Sequence, residues 1–282
     1  VDGPGGNVAS AYALDRSQML QGLPATSNRF EAPQLPSDNG FSAFIPADLD
    51  GSNPQPAGAP GYFLRHVDDE FHFSASTNYD YIERWALRPN FTTPANATFT
   101  RLPDIRIADL DERICDSGPD HCITQPGAGS QTLDSIPQMT MWRAQYRKFN
   151  NLETIVGNFT VDATGADRAG VRWFTLNKIG FLNWSLGQQG TYSPDVAHRW
   201  MASIAMDACG NVALGYSVSS TSVFPSIRYV GRLKGDAPGT MTQGEFEIFA
   251  GANANNATNR WGDYTSMNVD PSDGSTFWYT NQ

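Results

Sequence analysis

The hydrophobic residues of this chain recur in short runs at every second position and almost nowhere at the three-and-four spacing that a helix needs. Alternating, β-branched or aromatic runs predict strands over residues 9–14, 61–66, 71–76, 79–87, 139–149, 154–162, 171–176, 203–207, 212–217, 226–230, 245–250, 266–270 and 276–280. The best amphipathic stretch is DRSQML, residues 15–20, which predicts a short helix. Gly, Pro, Asn and Asp separate the runs, so the pattern predicts an all-β chain: a sandwich, a barrel or a propeller.

An internal repeat favours the propeller. Residues 203–217, SIAMDACGNVALGYS, align with 266–280, SMNVDPSDGSTFWYT; each reaches Asp four positions after Ser, then a Gly turn, then an apolar strand ending in Tyr-Ser or Tyr-Thr. Each is preceded by Arg-Trp, at Arg199-Trp200 and Arg260-Trp261, and a fainter copy runs from Asn158 to Asp162 and on through Val171 to Leu176. The carboxylates Asp162, Asp207 and Asp270 are 45 and 63 residues apart, close to the roughly 40 to 50 residues of a propeller blade once one long loop is allowed. An Asp at a strand end accepts backbone N–H groups from the turn that follows, so these three are expected to be structural. The expected architecture is a single β-propeller domain over residues 1–282, with about four or five four-stranded blades.

The last copy, PSDGSTFW, resembles the Asp-box turn of sialidase-like propellers, Ser/Thr-x-Asp-x-Gly-x-Thr-Trp, with compressed spacing. The longer stretches HRWMASIAMDACGNVALGYSVSSTSVFPSIRYVGR and RWGDYTSMNVDPSDGSTFWYTN, with PADLDG and AYALDRSQML upstream, resemble a group of large exported bacterial proteins of uncharacterised function. That resemblance implies further sequence before this region, which would make the chain the C-terminal part of a ring of about six or seven blades. It implies no activity, and it puts such turns on the outer rim.

Charge narrows the function classes. The 29 acidic and 19 basic residues give a net charge of −10, and Lys148, Lys178 and Lys234 are the only lysines. Phosphate binding rests on clustered Lys and Arg, so nucleic acid is not an expected partner. No run approaches the roughly 18 apolar residues of a membrane-spanning helix. VDGPGGNVAS has neither the basic start nor the apolar stretch of a signal peptide, so export would imply prior processing. Cys115 and Cys122 bound the loop CDSGPDHC, whose Gly-Pro centre can bring the sulfurs together as a structural disulfide. The competing reading, a metal held by Cys115, His121 and Cys122, lacks a second Cys or His pair. Cys209 is left over and expected to be buried. Glycosylation sequons at Asn90, Asn96, Asn158, Asn183 and Asn256 agree with an extracellular, cell-surface or periplasmic location.

No nucleophile elbow, phosphate loop, dinucleotide fingerprint or zinc-protease helix is present. The sharpest constellation is Arg260-Trp261-Gly262-Asp263-Tyr264. Sialidase-like hydrolysis uses Arg to clamp a carboxylate, Tyr as nucleophile and Asp as proton donor, and Arg260, Asp263 and Tyr264 supply those types. The competing reading packs the Arg on Trp and uses the Asp as a turn cap. His66, Asp68, Glu70 and His72 alternate and would share one face of a continuous strand as metal ligands; a hairpin turn at 68–70 would break that face. Asp48 with Asp50, and Asp109 with Asp111, lie in acidic loops suited to structural calcium or simply to solvent. Trp85, Trp142, Trp173, Trp184, Trp200, Trp261 and Trp278 are core residues or sugar-stacking surfaces. The functional expectation is a secreted binding or assembly module for glycans, other surface proteins or copies of itself; the alternative is a glycan-acting hydrolase of the sialidase-like class.

Overall fold

The computed structural model describes residues 9–36, 43–72, 77–115, 121–129, 131–263 and 265–282. It opens on an antiparallel hairpin, β1 (Ser10–Leu14) with β2 (Ser27–Glu31), whose connection carries α1 (Arg16–Leu20). The Asp15 carboxylate accepts the Ser17 N–H at 2.9 Å and caps that helix. An antiparallel meander follows: β3 (Ile45–Asp50), β4 (Gly61–Val67), β5 (Tyr81–Arg88) and β6 (Thr98–Arg106). After a small hairpin, β7 (His121–Ile123) with β8 (Leu133–Asp134), comes a second meander of β9 (Ala144–Phe149), β10 (Leu152–Asp162), β11 (Ala169–Ile179) and β12 (Ser185–Tyr192).

β3 pairs in parallel with β9, from Ala47 opposite Ala144 to Asp50 opposite Arg147. The two meanders thereby fuse into one curled eight-stranded sheet, a half-barrel in shape. A third meander, β13 (His198–Met206), β14 (Val212–Ser219), β15 (Ser226–Arg232) and β16 (Glu245–Phe249), forms a separate sheet, and the hairpin β17 (Ser266–Val269) with β18 (Phe277–Thr280) follows it.

The two-residue period of β10 and β11 explains how the sheets stack. Ile155, Phe159 and Val161 face the core inside the curled sheet with Phe174 and Leu176. Val156, Val171 and Trp173 face the other way, against Ile204, Leu214 and Tyr216 of the third meander. Both faces are thus apolar, and each large side chain so buried contributes roughly 1.5–3 kcal/mol. At the margins of the eight-stranded sheet β6 is largely exposed and β12 half-buried to exposed, and β6 tolerates Pro103 because an edge strand has a free side.

Asp162, Asp207 and Asp270 each follow or end the first strand of a hairpin, and each Oδ1 accepts the backbone N–H two residues on, from Thr164, Cys209 and Ser272, at 2.8 Å in all three. The all-β expectation stands, and the Cys115–Cys122 disulfide is formed with its Cα atoms 5.5 Å apart. Three local expectations are corrected. Phe71 and His72 belong to a turn, residues 73–76 lie outside the described residues, and β4 pairs with β5 instead. Residues 139–143 approach β9 without joining the strand. Cys209 is exposed, because it sits in the Asp207 turn beyond the end of β13.

Candidate functional site

A bulge in β13 opens the first site. Its register with β14 shifts between Trp200 and Ser203, and Met201 takes a left-handed φ of 47° that a side chain adopts only at a cost. The Thr265 hydroxyl donates to the Met201 carbonyl at 3.1 Å and holds this conformation. Opposite it, Gly262 has φ 78°, and a Cβ there would fall 2.4 Å from Ser217 Oγ, so only glycine fits. Between them lies a cleft of about 240 Å³ with Met139, Met141 and Met201 among its lining residues, Trp142 beside them and Arg260 and Asp263 opposite. Trp142 is 44% exposed, and its indole N–H donates to Ser266 Oγ at 3.2 Å.

The sequence candidates divide here. Arg260 Nε donates to Asp263 Oδ2 at 2.7 Å, so these two meet as an ion pair at the cleft, while Tyr264 lies outside the described residues. The parallel Arg199 behaves differently: it is fully buried, and Asp195 and Glu245 approach its guanidinium at 2.8 Å. Trp200 and Trp261 pack against one apolar cluster, so the repeated Arg-Trp pair conserves the packing of its Trp and diverges at its Arg. Among the residues described along this cleft, Asp263 is the one carboxylate.

The alternating acid–histidine run is dismantled by the turn after β4. His66 and His72 are drawn to opposite sides of Glu112, Nε2 to carboxylate oxygen 3.2 and 2.9 Å, with all three side chains buried. His66 Nε2 faces the Pro137 carbonyl at 3.1 Å and must be a donor there, while Thr140 Oγ1 accepts the His66 backbone N–H at 3.1 Å and lies 3.0 Å from His66 Nδ1. His72 Nδ1 faces the Pro36 carbonyl at 3.1 Å and must be a donor there. His72 Nε2, the other ring nitrogen, is the one that faces the Glu112 carboxyl. The bonds from His66 and His72 hold the Glu112 carboxyl below its usual range although burial pushes the other way.

Asp68 and Glu70 converge instead with Asp80, their oxygens within 4.8 Å of one another. Asp68 accepts N–H groups from Phe71 and Glu112, and Asp80 from Asp69 and Leu110, so the buried pair ties two connections to the sheet. Burial, with Asp68 beside it, pushes the Asp80 carboxyl up to about 7.

Asp48 and Asp50 lie where β3 meets β9. Arg143 reaches Asp48 at 2.8 Å and Asp50 at 3.2 Å, and its other nitrogen donates to Asn268 of β17 at 3.1 Å. Gln145 donates to Asp50 at 2.7 Å and accepts the Met206 N–H at 2.6 Å. One polar knot therefore links β3, β9, β17 and the end of β13. Asp109 and Asp111 are exposed on the connection after β6, where Asp111 accepts the Arg113 N–H at 2.8 Å. Of the sequons, Asn96, Asn183 and Asn256 are exposed and Asn90 is half-buried; Asn158 is fully buried, leaving no room for a glycan in the folded chain.

Sequence reasoning saw Glu112 only as one acid of a loop suited to calcium or solvent and missed Arg143, which sits in a run read as strand; the roles of both become visible only through partners far along the chain. Among the described residues, no helix is long and apolar enough to cross a membrane. No protein-family model matches the chain, and no curated protein matches its sequence.

Proposed function

We propose that this chain is a β-propeller-type module of the extracellular or periplasmic space that binds glycans without cleaving them. The observation that carries the reading is the Trp142 cleft: a half-exposed indole beside a methionine floor, with its one described carboxylate already paired to Arg260. Indole faces stack on sugar rings. Glycoside hydrolysis usually calls for two carboxyl groups about 5 to 9.5 Å apart, or for a nucleophile activated beside an acid. The separate four-stranded meander β13–β16 and the shared Asp turns support the propeller reading. The disulfide agrees with an oxidising compartment.

A glycan array probed with the wild-type chain and with Trp142→Ala tests this. Saturable binding to at least one glycan class, weakened about tenfold by Trp142→Ala, is the expected result. Absence of binding across the array, or turnover of fluorogenic glycosides by the wild type, overturns it.

A further inference from the structure

A second cleft, of about 420 Å³, lies away from Trp142 between β4, β5 and β6 on one side and the β11–β12 connection on the other. Its volume falls within the roughly 300 to 1,000 Å³ of small-molecule sites. Arg84 of β5 lines it and is 4% exposed. One of its nitrogens donates to the Pro103 carbonyl at 2.6 Å, Nε is buried without a partner, and no described carboxylate reaches ion-pair distance.

Of the other buried arginines, four have a carboxylate within ion-pair distance: Arg65 has Glu83 at 2.9 Å, Arg143 has Asp48 at 2.8 Å, Arg147 has Asp50 at 3.6 Å and Arg199 has Asp195 and Glu245, while Arg232 donates to three carbonyls. The acid and the lysine of the cleft are spoken for: Asp104 lies 2.9 Å from Arg101, and Lys178 lies 2.8 Å from Glu153. Arg88, exposed at the rim, donates to the Gly58 carbonyl and also meets no described carboxylate. The Trp184 indole N–H is a further buried donor without a partner. A chain of net charge −10 thus leaves a deeply buried guanidinium without an ion pair in this cleft, where the one described acid, Asp104, is held by Arg101. Burying a cation unpaired is unfavourable, and an anion that pairs with it removes that cost.

We propose that this cleft binds a small carboxylate-bearing ligand, its carboxylate on the Arg84 guanidinium, Arg88 at the mouth, and its less polar part against Trp184 and the exposed Phe181. A planar guanidinium matches a carboxylate with two parallel bonds, which selects that group over a neutral hydroxyl.

The full chain, titrated at low salt with sodium glucuronate and sodium benzoate, with glucose and sulfate as controls, tests this by calorimetry and thermal melting. At least one carboxylate should bind saturably and raise the melting temperature, while glucose should not. Arg88→Gln should melt like the wild type and bind that carboxylate about 3- to 10-fold more weakly. Arg84→Met should lose the response, with an unliganded melting temperature level with or above the wild type. No response to either carboxylate at about 50 mM, a response unchanged in Arg88→Gln, or an equal response to sulfate overturns the assignment. Neither variant touches the Trp142 cleft, so failure here leaves the glycan reading standing.

Discussion

Asp80 and Glu112 flank Asp68 and respond to pH in opposite senses. Burial lifts the Asp80 carboxyl from 3.8 to about 7, so it holds its proton more tightly folded than unfolded. Its contribution to stability is full below about pH 4 and is lost as the pH rises through 7. Glu112 is held below its ordinary value, so its contribution is present above about pH 4.5 and fades on acidification. Asp80→Asn keeps an acceptor for the Asp69 and Leu110 N–H groups but does not ionise. Relative to the wild type it should gain on the order of 2–3 kcal/mol between pH 5 and pH 8, each pH unit between the two values being worth about 1.4 kcal/mol. Melting curves of both proteins at the two pH values check this; a difference that stays constant would mean Asp80 is ionised throughout. At this scale the sequence was legible only in part. It drew attention to His66, Asp68, Glu70 and His72 as one group, but a turn sorts them into two, and the acids that complete them, Glu112 and Asp80, come from other segments of the chain.

The three Asp turns are the clearest case of an element written into the sequence. The same residue type at the same place in three hairpins gives the same Oδ1 bond to the N–H two residues on. They are not equal in consequence. Asp207 is buried and also takes the Asn211 N–H and side-chain amide, each at 2.8 Å. Asp207→Ala should therefore cost about 2 kcal/mol in urea unfolding, because it strands buried donors. Asp270→Ala, on a more open turn, should cost clearly less; an equal or reversed order would refute this account. β6 and β12 escaped notice for a physical reason. Edge strands need one apolar face at most, so TFTRLPDIR and SLGQQGTY carry no alternation strong enough to read. The segment from Phe71 erred the other way, since alternating aromatics that look like a strand begin in a turn anchored by Asp68.

For the whole molecule, the all-β class could be read from pattern alone, whereas the parallel joint between β3 and β9 could not. It depends on two short strands separated by an entire meander, and no local period encodes that pairing. Gln145 shows how the joint is made firm: it is 1% exposed and bridges Asp50 of β3 to the Met206 N–H of β13. Gln145→Ala strands the Met206 N–H and removes one of the donors to Asp50, which keeps Arg143, so it should cost about 1–3 kcal/mol and speed hydrogen exchange at the end of β13. Unchanged exchange at Met206 would refute this role. The joint also bears on synthesis. As the chain leaves the ribosome, β3 through β6 emerge well before β9, and until Ala144–Arg147 follow, β3 presents an unpaired backbone along Ala47–Asp50. Bare edges of this kind recruit stray strands from neighbouring chains, and charge along them discourages it. The acids that later grip Arg143 would thus serve first as guards, keeping nascent copies apart while the missing partner is still being made.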